Sequence, residues 1–173
     1  MYIPVTGDGK PYYSEGLPVR FYKTDGTAWV ANFQLGSAKL MKRVIEFEKT
    51  SHVIVIAGGL CYRMNPDETK PFDVFGHDYC DIFKTNSERY VLQGMTDFAI
   101  IEPDGTHWIT ERISWDGFAE VKVENNVVTG VAYDPMHTQD EWVKFSYDLD
   151  TRTLTGGSYR KYIKDKKPWW QLW

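Results

Sequence analysis

From residue 95 onward the chain alternates short apolar runs with turn residues, the rhythm of an antiparallel meander. Residues 97–102 run into Pro103-Asp104-Gly105-Thr106 and then into 107–113. Residues 118–124 turn at Asn125-Asn126 into 127–133, and 142–149 turn near Asp150-Thr151 into 153–159. Period-two patterning gives these strands one apolar and one wet face. Val121 and Val123 oppose Glu120, Lys122 and Glu124, while Val143, Phe145, Tyr147 and Leu149 oppose Trp142, Lys144, Ser146 and Asp148.

The same rhythm is looser upstream. Residues 1–17 read as an irregular lead-in, and strands at 19–23 and 27–33 flank the hairpin signal Thr24-Asp25-Gly26. Residues 38–49 suit either a short helix lined by Leu40, Met41, Val44, Ile45 and Glu48 or an alternating strand. A β-rich run at 52–57 halts at Gly58-Gly59 and continues at 60–64 past a bulge. Residues 65–76, with Pro66 and Pro71, form the longest break and read as a loop of functional length. A further hairpin occupies 79–84 and 89–93.

An internal repeat decides the ambiguous stretch. Asp25-Gly26-Thr27-Ala28-Trp29-Val30 matches Asp104-Gly105-Thr106-His107-Trp108-Ile109, and 44–48 matches 120–124. Asn65-Pro66 then matches Asp134-Pro135, and 81–85 matches 148–151. Four landmarks in one order predict copies at 18–94 and 97–160, make 43–49 a strand, and leave 161–173 as an aromatic tail. The expected fold is all-β, with about twelve antiparallel strands in successive hairpins. Two pseudo-equivalent halves would form a sandwich, a barrel or a small propeller-like ring.

Composition sharpens this picture. At 173 residues the chain is one domain with room for a core, and its 16% aromatic content, with seven Trp and eleven Tyr, suits strands and binding faces. The net charge of −4, without a basic patch before the last dozen residues, argues against nucleic acid and anionic membrane as partners. No apolar run reaches membrane-spanning length, and the first residues lack the basic and apolar regions of a signal peptide. The expectation is a cytoplasmic protein in which Cys61 and Cys80 stay reduced, each as a small buried hydrophobe in a strand.

Candidate chemistry is sparse. His77-Asp78-Tyr79-Cys80-Asp81 is the densest cluster, yet on a strand His77 and Cys80 point to opposite faces. His52, His77, His107 and His137 lack metal-ligand spacing, so neither a metal nor another cofactor is expected. Asp67-Glu68 and Asp140-Glu141, with Asp73, Asp78 and Asp134, would supply a hydrolase only if two carboxylates converge. Gly58-Gly59 and Gly156-Gly157 fit no phosphate loop, and no catalytic residue is nominated.

Aromatic and acidic residues together carry the functional expectation. Trp115, Tyr133, Asp134, His137, Asp140, Glu141 and Trp142 fall on or beside loops that would present rings next to negative charge. Lys164, Lys166 and Lys167 lead into Pro168-Trp169-Trp170-Gln171-Leu172-Trp173, a tail that either closes on the domain or joins a second copy into a homodimer. The reading is a non-enzymatic interaction domain that binds a protein with a basic face. In size and composition alone it is like small bacterial immunity or adaptor proteins. A small-ligand or carbohydrate-binding β domain and a carboxylate-based hydrolase are the alternatives.

Overall fold

A computed structural model describes residues 2–10, 15–38, 41–47, 50–136 and 141–160. Strands β1 (Tyr2–Val5), β2 (Leu17–Tyr22) and β3 (Ala28–Phe33) form the first sheet in the order β1-β3-β2, with β1 parallel to β3. Three four-stranded antiparallel meanders follow. The second sheet holds β4 (Lys42–Phe47), β5 (His52–Ala57), β6 (Leu60–Met64) and β7 (Asp73–Gly76). The third holds β8 (Asp81–Lys84), β9 (Tyr90–Gln93), β10 (Phe98–Ile101) and β11 (His107–Ile109). The fourth holds β12 (Phe118–Glu124), β13 (Val127–Asp134), β14 (Glu141–Asp148) and β15 (Thr153–Gly156).

The fold is all-β and hairpin-built, with fifteen strands among the described residues where about twelve were expected. Two of them occupy stretches read as irregular. β1 sits in the lead-in, and β7 takes the end of the supposed loop, which shrinks to 65–72. Gly58-Gly59 is a turn rather than a bulge: Ala57 pairs directly with Leu60 across it, and both glycines have positive φ (63° and 83°). That is the backbone a two-residue hairpin demands, and glycine adopts it without a Cβ clash.

Successive sheets stack face to face. In β5, Val53, Val55 and Ala57 pack toward Phe21, Trp29 and Phe33 of the first sheet, while Ile54 and Ile56 pack toward Leu92, Ala99 and Ile101 of the third. In β10 the alternation repeats, with Phe98 and Ile100 meeting Val128, Ala132 and Phe145 of the fourth sheet. Burial on both faces explains why β5 and β10 read as unbroken apolar runs. The terminal sheets keep a wet outer face, with Arg20, Tyr22 and Ala28 at one end and Thr129, Trp142 and Lys144 at the other. The result is an open, sandwich-like stack and not a closed barrel.

The repeat landmarks fall unevenly on this frame. In both Asp-Gly-Thr turns the threonine N–H and hydroxyl donate to the aspartate, Thr27 to Asp25 at 2.8 and 2.6 Å and Thr106 to Asp104 at 2.9 and 2.6 Å. β4 and β12 both open their sheets. Asn65-Pro66, however, follows the third strand of its sheet and Asp134-Pro135 the second, while 81–85 begins a sheet and 148–151 links the last two strands of another.

Candidate functional site

The outer face of the fourth sheet follows from the pairing of β13 with β14, eight residues in unbroken register. Alternation sends Val128 and Ala132 inward and turns Thr129, Val131 and Tyr133 outward, opposite Ser146, Lys144 and Trp142. Tyr133 and Trp142 are therefore directly opposed, with ring centroids 5.2 Å apart at 46°, and Trp142 remains 48% exposed. Beside them a shallow depression of about 470 Å³ descends the sheet, lined by Lys122, Thr129, Val131, Lys144, Ser146 and Thr155.

The same parity corrects one expectation. Asp134 follows Tyr133 and so points inward; it is fully buried and accepts the Met136 N–H at 3.0 Å instead of charging an open loop. Glu141, paired across from it, is half-buried. His137, Asp140, Trp169 and Trp170 lie outside the described residues. The structure thus joins the two rings but does not bring Asp134 to their face.

Trp115 belongs to a separate, half-buried cluster. Its ring meets Tyr159 edge-on at 4.8 Å, and the Arg112 guanidinium lies 5.1 Å from the Trp115 centroid and 4.5 Å from that of Tyr159. Arg112 also donates to the carbonyls of Ser114 (3.0 Å) and Trp115 (2.7 Å). The buried Ser158 hydroxyl accepts the Trp115 N–H at 3.1 Å and donates to the Tyr133 carbonyl at 2.7 Å. Buried Ser114 donates to the Gly117 carbonyl at 2.6 Å. This clamp ties the loop before β12 to the segment after β15, and it anchors the strand end that carries Tyr133. Arg112, Ser114, Ser158 and Tyr159 lie in no motif, so no sequence signal pairs them.

The remaining carboxylates are engaged separately. Asp67 accepts the Thr24 N–H (2.8 Å) and hydroxyl (3.0 Å), tying the turn after β6 to the first sheet. Asp73 lies 3.2 Å from Nδ1 of His107, whose ring stacks on Phe75 at 3.6 Å. Burial holds the Asp97 carboxyl above the usual carboxylate range. Among the described residues no three His, Cys, Asp or Glu side chains are grouped to hold a metal. Cys61 is buried as expected, but Cys80 is exposed just before β8, and Tyr79 fills the buried position beside it. Sequence alternation misplaced this pair because β8 begins only at Asp81. No helix among the described residues is long and apolar enough to cross a membrane. Comparison with protein-family models, curated proteins and solved structures finds no match to this chain.

Proposed function

We propose that the chain is a non-enzymatic interaction domain that holds a protein partner on the open face of its fourth sheet, with Trp142 and Tyr133 at the centre. One observation carries this reading: an exposed Trp142 packs on a half-buried Tyr133 across a strand pair whose backbone is fixed by eight successive cross-strand pairings. Rings held this way lose little entropy on binding and are enriched among the residues that dominate interface energies. The face is broad and open, which suits a protein surface better than an enclosed small molecule. A basic-faced partner follows from the net charge of −4, which speeds encounter, rather than from the patch itself, where Lys122 and Lys144 flank Glu120. A cytoplasmic setting, with both thiols reduced, goes with this reading.

The test is affinity capture from the native lysate at low and high salt, with Trp142→Ala beside the wild type. The expected result is a partner held more firmly at low salt and weakened roughly thirtyfold in Trp142→Ala, the scale of a hot-spot truncation. No partner at either salt, or undiminished capture by Trp142→Ala and Tyr133→Ala, would overturn it. A second reading, a sugar stacked on the same rings, draws on the Thr129, Ser146 and Thr155 hydroxyls lining the neighbouring depression. A saccharide that raises the melting temperature of the wild type but not of Trp142→Ala would favour it.

A further inference from the structure

We propose that the free edge of β4 is a docking strand for an extended, acidic segment of a partner protein. This is a second surface, remote in the stack from the Tyr133–Trp142 face, and it does not rest on the function assigned to that face. β4 pairs with β5 on one side, and among the described residues no strand bonds its other edge. Unpaired edges are templates for strand addition, and proteins usually blunt them with proline, a bulge or a cover. β2 carries Pro18, and β12 breaks register between Ala119 and Lys122. β4 has neither proline nor bulge; what it carries is charge, at Lys42, Arg43 and Glu46, with the Arg43 guanidinium donating to the Lys42 carbonyl at 3.0 Å. The strand runs from Lys42 opposite Ala57 to Phe47 opposite His52 without a shift, and Val44 is 46% exposed.

A depression lies on each side of that edge. One, of about 420 Å³, opens toward the first sheet and is lined by Val19, Phe21, Tyr22, Val44 and Val53. The other, of about 380 Å³, opens toward the third sheet and is lined by Arg43, Ile45, Ile82, Phe83 and Tyr90. Both are bounded by Val44 and Glu46, so they meet over β4. A strand added to β4 would send successive side chains alternately into the two depressions. That is the geometry of recognition by strand addition, in which backbone bonds give affinity and alternate pockets give specificity.

Charge selects the occupant. Arg20 lines the first depression and Arg43 the second, with Lys42 at the end of the strand, and none of the three forms an ion pair among the described residues. Lys84 lines the second depression too, though it is paired with Glu88 at 2.5 Å. In the second depression Arg43 and Lys84 outnumber Glu46, whereas in the first Asp67 joins Glu46 against Arg20. On a protein of net charge −4, the second therefore fits aspartates and glutamates, set between β-branched or aromatic residues that face the first.

The experiment pans a displayed library of random peptides, each of about ten residues, against the full chain. Enriched ligands are expected to place acidic residues between β-branched or aromatic ones and to slow amide exchange over Lys42–Phe47. Their affinity should fall at least tenfold in Val44→Glu and in Arg43→Glu, roughly the effect of a like charge set against the ligand. Both side chains are exposed, so an unchanged melting curve separates lost binding from lost folding. Trp142→Ala should leave peptide binding intact, which keeps this outcome apart from that of the fourth-sheet face. Failure to enrich any ligand would overturn the proposal. So would ligands without acidic residues, or binding that spares the β4 amides and tolerates both variants. A concentration-dependent dimer abolished by Val44→Glu would also overturn it, by putting a second copy of the chain on the edge.

Discussion

Arg89 donates from Nε to Glu102 Oε2 at 2.9 Å, and the other oxygen of that carboxylate takes the Trp108 indole N–H at 2.8 Å. The guanidinium also reaches Asp150, in the turn between β14 and β15, and Asn126 donates to the same aspartate at 3.2 Å. Ser87 in turn donates to Asn126 at 2.7 Å. One arginine thus fastens the third sheet to the turns of the fourth, beyond what the apolar layer between them supplies.

Removing this arginine should be costly for a surface residue, because its side chain is only 20% exposed and that of Glu102 only 24%. Arg89→Ala leaves a covered carboxylate without its partner, and the expected loss is about 2–3 kcal/mol. For a chain of this size the melting temperature would fall by roughly 5–10 °C. Arg89→Lys should recover part of this, since an ammonium cannot span both carboxylates as a planar fork does. Thermal melts of the three proteins check the ranking. Equal stability of Arg89→Ala and wild type would mean that the sheets are held by the apolar layer alone.

Gly36 marks a tight backbone junction in the stack. Its N–H donates to the Ala57 carbonyl at 2.8 Å, while Ser37 and Ala38 donate to His77 and Gly58, each at 2.9 Å. A Cβ on residue 36 would lie 2.2 Å from the His77 oxygen and 2.6 Å from the Gly58 oxygen, both backbone atoms that cannot swing aside. Gly36→Ala is expected to destabilise the protein by about 3 kcal/mol or more, at the upper end for overpacking. Urea unfolding measures it, and a loss below about 1 kcal/mol would show that the chain relaxes there without penalty.

These features differ in how much of them local sequence carries. The meander from β12 to β15 was readable because each strand alternates over several residues and each turn has its own chemistry, as at Asn125-Asn126. β1 was not, since it is made by a parallel pairing with β3 that leaves no turn signal between partners. β7 was hidden behind Pro71, in a stretch whose polar residues resemble a loop. The opposition of Tyr133 and Trp142 follows from strand parity, and the same parity buries Asp134, although its sequence neighbours suggested an exposed acid. The hold of Arg112 on Trp115 and Tyr159 joins segments brought together only by the closing of the fourth sheet onto the loop before it.

Two histidines give the protein a pH dependence whose direction can be worked out. His107 stacks on Phe75, and burial holds its pKa below the ordinary 6.5; Asp73 opposes this and Arg63 reinforces it. His52 is lowered by burial and by Arg63, against the pull of Asp104. Arg63 approaches its Nδ1 at 3.0 Å, and that nitrogen can accept the bond only while the ring is neutral. Both folded-state values lie below the unfolded one, so the unfolded chain binds more protons as pH falls. Stability is therefore full above about pH 6.5, declines as pH drops through that value toward the folded pKa values, and levels off beneath them. Asp25 and Asp104, held below the usual carboxylate value of 3.8 by their Thr27 and Thr106 bonds, act only in a lower and separate window. Urea midpoints taken between about pH 7 and about pH 5 should fall in the wild type and change much less when His52→Gln and His107→Gln are combined. A flat wild-type profile, or an equal decline in the double variant, would remove these two rings as its source.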